Sequence, residues 1–549
     1  MMKKHILSLV MTLAFGALWF YFAIPAINLR APGFWVMLFM MALVYAVSYL
    51  VFGGFRRLAA ATGSPFVLED GHLKKVKLQG RGKIIFFAAL GLLALFLVLV
   101  FATSSRVTRA SDYQRMLSVV EGNFAEDIAE LPISQIPIVD RDTAERLGNR
   151  KIGEVVELVS QFNVAEYYSQ INYKEKPYRV TPLEYDGLLK WFANKDEGIP
   201  YYVTIDMATM ETELVELEEG MKYSPSEYFS RDLYRHIRFK YPTKMFENLS
   251  FEIDDAGHPF WVMSYYEYTF GIFGGKDIAG IILVDAVSGE MTDYAVDKVP
   301  QWIDRVYSAE MLVEQADNWG SLKNGFFNSI FTQKNVVVTT EGYNYIALDD
   351  DVWLYTGITS VVADESNIGF ILINMRTKEA RTYAINGAEE YSAMGSAEEQ
   401  VQEKDYDATF PILINVANEP TYFISLKGDA GLVKMYAFVS VPRYHIVGVD
   451  ETIEGARRKY LQMLGVGDTE NDDNEDTLVD VVGTVTAIAT AVVDGDTVYY
   501  IRLDDGLIYT ASVKLDENLP FLAVGDSLTA KVNDKREIQK IGQDLPESQ

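Results

Sequence analysis

Three apolar runs without a charged residue open the hydrophobic pattern of the chain, at residues 6–27, 34–52 and 84–103. Each run is long enough to cross the roughly 30 Å hydrocarbon core of a bilayer as an α-helix. Lys3 and Lys4 precede the first run, as in a signal peptide, but its apolar part is too long and no clear A-x-A cleavage site follows. We therefore expect three retained transmembrane helices within a membrane region at residues 1–105.

Basic residues predict the orientation of these helices. Seven Lys/Arg lie in the segment 56–83, whereas only Arg30 lies between the first two runs. Because cytoplasmic loops carry an excess of Lys/Arg, we expect the N-terminus and the loop 56–83 to be cytoplasmic and residues after about 104 to be extracytoplasmic. A hairpin turning at Asp70-Gly71 is predicted in this loop. Its lysines either contact anionic lipid or only set the topology.

Helical and strand-like spacing alternate in the exported part. Apolar residues recur at helical spacing over 110–131, 142–162, 301–319 and 451–464. Pro300 is expected at the start of the third helix, and Asp450 and Gly465 at the ends of the fourth. Short apolar segments between the helices, interrupted by turn residues, predict strands. The predicted fold class is α+β, with exported modules at 106–247, 248–330 and 331–466.

One strand–turn–strand pattern recurs along this body. It is found at 201–215, 280–296 and 369–384. Aligning Asp206, Asp285 and Asn374 also aligns a hydroxyl residue three positions on and a Glu five positions on. Asx side chains in such turns accept backbone N–H groups two or three residues further on, so we expect three equivalent structural turns. The alternative is that the repeated residues bind a ligand or a metal ion.

A degenerate fourth copy is predicted within 331–466. Its strand rhythm is the same, but Ser440 and His445 take the Asx and Glu positions. An acidic linker follows at 467–478, and it fails the calcium-loop pattern because Asp473 stands where glycine is required. Five strand-like segments and Gly-containing turns over 479–545 then predict a small OB-like β-barrel.

Composition removes several classes of function. The chain carries a net charge of −28, and its first 103 residues carry +8, so the remaining 446 residues carry −36. Such an acidic body disfavours nucleic acid as a partner. There is no cysteine, and the five histidines show neither metal-ligand spacing nor a Ser/His/Asp order. The sequence accordingly identifies no catalytic, cofactor-binding or metal-binding residue.

The segment IILVDAVSGEMTDYAV at 281–296 resembles the PepSY module of bacterial exported proteins, whose short α+β unit ends in a strand–VDA-x-(S/T)-G–strand hairpin. The other two copies depart from it, with Met210 and Lys378 in place of the glycine. The resemblance implies a binding module associated with regulating proteases or envelope proteins, without catalytic residues.

These observations predict a non-enzymatic, multi-pass cell-envelope protein whose acidic body binds or regulates another envelope protein or peptide. Strand edges between modules are candidate binding surfaces for an added strand. The absence of cysteine from an exported body favours a Gram-positive bacterium. Two alternatives stay open: an enzyme that acts on wall polymer or peptides, and a membrane scaffold for an envelope complex.

Overall fold

A computed structural model describes residues 2–53, 66–69, 72–75, 81–348, 350–360, 366–466, 479–493, 496–515, 519–532 and 536–541. The chain divides into two compact units, residues 1–464 and 465–549. The predicted α+β class is confirmed, with β-sheet predominating. The predicted acidic linker at 467–478 lies outside the described residues.

The N-terminal part consists of apolar helices. They are α1 (Met2–Ala23), α2 (Pro32–Gly53) and α3 (Arg81–Ser104). Two of the described segments, 4–23 and 32–49, are long and apolar enough to cross a membrane, a test that a signal sequence near an N-terminus also passes. Strands β1 (Phe66–Glu69) and β2 (His72–Lys75) form the predicted antiparallel hairpin, whose turn residues lie outside the described ones.

Short helices and antiparallel strands build the rest of the first unit. The helices are α4 (Ala110–Gln114), α5 (Phe124–Asp127), α6 (Arg141–Gly153), α7 (Val156–Val159), α8 (Leu188–Asn194), α9 (Leu233–Lys240), α10 (Ala309–Ser321), α11 (Glu390–Glu399) and α12 (Ile453–Leu464). The first ten strands are β3 (Val119–Glu121), β4 (Phe162–Val164), β5 (Ser169–Tyr173), β6 (Lys176–Tyr185), β7 (Ile199–Asp206), β8 (Thr212–Met221), β9 (Met245–Ile253), β10 (Pro259–Phe270), β11 (Gly274–Asp285) and β12 (Met291–Ala295). The others are β13 (Val337–Thr339), β14 (Asn344–Leu348), β15 (Asp351–Ser360), β16 (Ser366–Asn374), β17 (Ala380–Tyr383), β18 (Gly387–Ala388), β19 (Asp407–Ala408), β20 (Ile412–Val416), β21 (Glu419–Lys427), β22 (Val433–Ser440) and β23 (Val447–Asp450).

Four antiparallel sheets share one plan. Their strand orders are β4/β5–β6–β7–β8, β9–β10–β11–β12, β13/β14–β15–β16–β17 and β19/β20–β21–β22–β23, where a slash joins two strands that pair with the same neighbour. Each sheet follows a helix in the chain: α6, α9, α10 and α11 precede the first to the fourth sheet. The third sheet is extended at its β17 edge by β3, which pairs in parallel. That edge is therefore occupied by the chain itself.

The same backbone contact marks the start of each module. The carbonyl that follows the Asx position accepts an N–H from the segment entering the same module: Ile138 to Met207, Lys222 to Ala286, Val306 to Met375 and Ala388 to Val441, at 2.7–3.2 Å. The entering residues follow one another at intervals of 84, 84 and 82 positions. The contact thus recurs near 138, 222, 306 and 388, and the first to fourth modules are named from these positions. The bounds 106–247, 248–330 and 331–466 stay predictions from the sequence.

The structure departs from all four predicted helices. The helix predicted over 142–162 ends at Gly153, the short α7 follows, and Phe162 already begins β4. The helix predicted over 301–319 begins at Ala309, because Ser308 is the N-cap and its Oγ accepts the Met311 N–H. The segment 110–131 forms only α4 and α5 with β3 between them, since β3 is drawn into the third sheet. The last helix begins at Ile453, and Thr452 rather than Asp450 accepts an N–H of its first turn.

A shared apolar core joins the second and third sheets through α10. Its central members are fully buried and include Val262, Ile281, Leu312, Leu354 and Ile371. Burying one such side chain contributes about 1.5–3 kcal/mol relative to leaving it in water. The two modules therefore fold as one packed body.

The second unit is a five-stranded sheet with its own core. Its strands β24 (Val479–Val493), β25 (Asp496–Leu503), β26 (Ile508–Ser512), β27 (Ser527–Val532) and β28 (Ile538–Ile541) are ordered β26–β25–β24–β27–β28. Val485, Ile501 and Leu528 are buried in that core. Among the described residues, one isolated parallel bridge between Thr510 and Glu537 joins the outer strands, so the predicted closed barrel is not observed.

Candidate functional site

The three repeated Asx positions form one and the same turn. The Oδ1 atom accepts two backbone N–H groups in each copy: Asp206 from Ala208 and Thr209, Asp285 from Val287 and Ser288, and Asn374 from Arg376 and Thr377, all at 2.8–3.0 Å. The hydroxyl three residues on accepts the N–H of the following Glu in all three copies. The predicted Asx turns are confirmed, and their acceptor oxygens are engaged within the turn.

The glycine position of the repeat keeps one backbone conformation whatever its residue. Met210, Gly289 and Lys378 have φ of 63°, 74° and 63°. Only glycine adopts this left-handed region without steric cost. The departures from the PepSY-like pattern therefore leave the shape of the turn unchanged.

The fourth module closes its turn with different residues. Ser440 Oγ accepts the N–H of Arg443 at 3.2 Å. The Ser440 N–H donates to the carbonyl of Ile446, where the other copies use the aligned Glu. This turn is one residue longer, so Ile446 rather than His445 takes the place of the Glu.

Two of the histidines lie beside these turns. His258 Nε2 is 3.1 Å from Asp285 Oδ2, and His236 Nε2 is 2.9 Å from the Gly289 carbonyl. Burial raises the pKa of Asp285, but the N–H groups of the turn and His258 outweigh it and lower the pKa overall. Among the described residues, no group of three or more His, Asp or Glu side chains could hold a metal ion.

A cavity of about 390 Å³ lies where the first, third and fourth modules meet the segment 127–137. Its wall is partly apolar, with Leu131, Ile346, Leu348 and Ile412, and it carries three carboxylates, Asp127, Glu175 and Asp350. The described lining contains no Lys or Arg. The cavity is therefore an acidic recess with apolar walls.

Electrostatic repulsion is concentrated at one side of this cavity. Burial raises the pKa of the Asp350 carboxyl, and the nearby carboxylates of Asp351, Asp255 and Glu175 raise it further, against a smaller opposing effect of Arg376. A positive charge placed here would relieve that repulsion.

Two buried carboxylates join three modules. Asp304 accepts the backbone N–H groups of Asn172 (2.7 Å) and Val352 (3.2 Å), which belong to the first and third modules. Glu252, in the second module, accepts the N–H groups of Asp304 (2.8 Å) and Arg305 (3.2 Å). Both side chains are buried, and burial raises both pKa values, that of Asp304 well above its ordinary range. We call Glu252 and Asp304 the acid joint.

An ion pair of the third module lies near the acid joint. In addition to burial, the charge of its Asp351 carboxylate raises the pKa of Asp304. Arg376 Nε and Nη2 lie 2.6 and 2.7 Å from the two Asp351 oxygens, so the pair is bidentate. Asn374 Nδ2 donates to the same carboxylate at 2.8 Å. The Asx turn of this module is thereby linked to Asp351 at the start of β15.

The β10–β11 hairpin tip meets the apolar helices. Arg30, in the connection between α1 and α2, donates to the Tyr268 carbonyl at 3.0 Å. Ser104 Oγ, at the end of α3, accepts the N–H groups of Ile272 and Phe273, both at 3.0 Å. The α1–α2 connection and the end of α3 therefore reach one face of the body.

Comparison with known proteins gives no family. No family model matches the chain, and no curated protein matches it. Among solved structures, an exo-1,5-alpha-L-arabinanase from a bovine ruminal metagenomic library shares 11% identity and a TM-score of 0.15, covering 70% of this chain and 99% of its own. A B. megaterium levansucrase mutant shares 9% identity with a TM-score of 0.17, and the match covers 78% of this chain and 99% of the levansucrase. Bacillus subtilis levansucrase shares 8% identity with a TM-score of 0.14, and the match covers 78% of this chain and 98% of the levansucrase. At these TM-scores the likeness carries no argument about fold or function.

Proposed function

We propose that this chain is a non-enzymatic, multi-pass cell-envelope protein of a bacterium, whose four-module body binds a peptide segment of another envelope protein. The observation that carries the proposal is the central cavity, which three different modules and the 127–137 segment build together. Recesses between structural units are common binding sites.

The lining of the cavity defines the ligand. Carboxylates at Asp127, Glu175 and Asp350 favour Lys or Arg side chains, and the walls at Leu348 and Ile412 favour small apolar residues between them. The partner is thus a partly apolar, basic peptide segment. The bidentate pair at Asp351 and the acid joint hold the walls in register for it.

The proposed membrane topology rests on the distribution of charge and on the contacts between the apolar helices and the β10–β11 hairpin. All three apolar helices span the membrane, with the N-terminus and loop 56–83 in the cytoplasm and the body outside. The charge asymmetry around the helices supports this orientation. The contacts of Arg30 and Ser104 with one hairpin agree with it, because this topology puts both residues on the outer side.

The family assignments within the proposal are PepSY-like modules and an OB-like C-terminal barrel. A helix followed by antiparallel strands in all four modules, with the same Asx turn in the first three, supports the first assignment. The strand order of 479–541, with the Thr510–Glu537 bridge between its outer strands, supports the second.

Site-specific photocrosslinking in living cells tests the binding role. A photoreactive amino acid at Leu348, in the cavity wall, is expected to capture a specific protein or peptide adduct. Glu175→Gln together with Asp350→Asn should reduce that adduct, because both carboxylates are removed from the cavity. Glu403→Gln, an exposed carboxylate outside the cavity, is the matched control and should leave it unchanged. Absence of an adduct, or equal yields from all variants, contradicts the proposed site.

A further inference from the structure

A short apolar turn follows α10 and is strongly exposed. Phe327, Ile330 and Phe331 are 64%, 51% and 76% exposed, on and just before a single π-helical turn, Asn328–Thr332. The two phenylalanine rings stack with their centroids 6.3 Å apart, so the side chains present one continuous face. We call these three residues the apolar turn. Large apolar faces left in water mark interaction surfaces.

The charge around the apolar turn is opposite to that of the body. Residues 318–340 contain no Asp or Glu and two lysines, Lys323 and Lys334, whereas the part of the chain after residue 103 carries −36. Both lysines are exposed, and Lys323 Nζ lies 3.8 Å from the ring centroid of Trp319. Aromatic residues beside lysines are typical of segments that lie at a membrane–water interface.

The helix α10, which precedes the apolar turn, runs along the β10–β11 hairpin towards the tip that contacts α3. Ahead of α10, the Val306 carbonyl accepts the hydroxyl of Ser264, which pairs with Ile281 in the β10–β11 register. Within α10, Gln315 Nε2 donates to the Lys276 carbonyl at 3.4 Å. Lys276 is five residues nearer the hairpin tip than Ile281, about 16 Å at ~3.3 Å per residue. The helix therefore runs towards the tip.

The remaining distance to the tip matches the rest of the helix. Lys276 is two residues from Gly274 at the tip, about 7 Å along the strand. α10 continues six residues beyond Gln315, about 9 Å at ~1.5 Å per residue. The end of α10 thus reaches the level at which Ser104, the last residue of α3, bonds to the hairpin. An ion pair also joins Arg106, two residues after the end of α3, to Glu314 of α10.

We propose that the apolar turn inserts into the outer-leaflet interface of the bilayer that holds α1 to α3. This inference rests on the proposed membrane anchoring. The bilayer is the occupant because α10, which leads into the turn, ends at the level where α3 bonds to the hairpin, and because the lysines complement anionic headgroups. Insertion at such a surface reaches about 5–10 Å, the headgroup and acyl boundary. The body is then held to the membrane at a point separate from its helices.

Environment-sensitive labelling of the full chain tests this inference. The chain has no cysteine, so Ile330→Cys can be labelled with a nitrobenzoxadiazole fluorophore in protein reconstituted into phosphatidylcholine–phosphatidylglycerol vesicles. Phe331→Cys gives a second probe on the same face. Ala256→Cys, exposed in the turn at the opposite end of β10, is the matched control, and Leu43→Cys within α2 reports membrane insertion.

The labels separate the outcomes. At Ile330 and Phe331 we expect blue-shifted emission, quenching by nitroxide lipids labelled near the headgroup, and iodide quenching several-fold weaker than at Ala256. If both labels behave like Ala256 while Leu43 is quenched by lipid, the apolar turn is in water and the inference is wrong. Shielding from iodide without quenching by lipid would mean that a second copy or another protein covers the turn, which also overturns it. A Leu43 label outside lipid contradicts the membrane anchoring itself, and this inference with it.

Discussion

Replacing Asp285 with Ala removes the acceptor of the Asx turn in the second module. Asp285 Oδ1 accepts the N–H groups of Val287 at 2.8 Å and Ser288 at 3.0 Å. The Ser288 position is exposed, so water can replace the lost bond there, whereas Val287 is half-buried and its N–H is left poorly satisfied. A hydrogen bond to a charged group contributes about 1.5–3 kcal/mol and water restores part of it, so we expect a loss of about 1–2 kcal/mol.

The assay is thermal unfolding of the full chain in detergent, with hydrogen exchange at residues 287 and 288. A loss of this size lowers Tm by about 2–4 °C per kcal/mol in a cooperative unit of about 150–250 residues, and by less in a larger one. Asp285→Asn is the matched control, because Asn374 makes the same two bonds in the third module. The Asn variant should lose clearly less stability than the Ala variant. Unchanged Tm and exchange in Asp285→Ala, or strong stabilisation of the wild type by Ca²⁺ that the Ala variant lacks, would refute a structural role.

Three further predictions follow from the geometry. The pKa values of Glu252 and Asp304 are raised in the folded state, so their contribution to stability is complete below their ordinary pKa of about 4 and is lost as pH rises through the folded-state values. The Tm should therefore fall less steeply with rising pH in Glu252→Gln than in the wild type. Parallel curves of Tm against pH would contradict this. Arg376→Met leaves the Asp351 carboxylate buried without its bidentate partner and should cost about 3–5 kcal/mol, seen as a lower urea midpoint, whereas an unchanged midpoint would show that the pair adds nothing. The isolated fragment 479–545 should show a cooperative thermal transition by circular dichroism, because it has its own core; a gradual, non-cooperative change would argue against an autonomous domain.

Local signals in the sequence predicted the turns correctly. The Asx, hydroxyl and Glu spacing reports interactions within six residues, so it needs no knowledge of the rest of the fold. The hairpin of β1 and β2 was predictable for the same reason. The C′ position of Gly465 also agrees, since its φ of 75° lies in the left-handed region that glycine favours.

Features that depend on distant partners were not predictable. Residues 301–307 have helical spacing, but Glu252 of the second module accepts the backbone N–H groups of Asp304 and Arg305, so the helix starts only at Ala309. Segment 119–121 becomes a strand because β17 offers an open edge some 260 residues later. The sequence offers one signal for the acid joint: Glu252 is a carboxylate between two apolar residues, Phe251 and Ile253, of a strand. The structure shows that all three side chains are buried.

The cavity lay beyond sequence reasoning for the same cause. Its lining comes from Asp127, Glu175, Asp350 and Ile412, which no local pattern connects. In so acidic a chain, paired carboxylates alone carry no information about a site. The apolar turn, in contrast, had a sequence signal in the absence of Asp and Glu from 318–340, but its exposure and its level relative to α3 required the structure.

Cysteine accessibility in wall-stripped cells tests the central claim, a membrane-anchored body outside the cytoplasm, most directly. Ala256→Cys in the body and Ala59→Cys in the basic loop are each introduced into the full chain, which has no cysteine of its own. A membrane-impermeant maleimide should label Ala256→Cys in intact cells, and should label Ala59→Cys only after the cells are lysed. Labelling of Ala59→Cys in intact cells together with protection of Ala256→Cys would contradict the account.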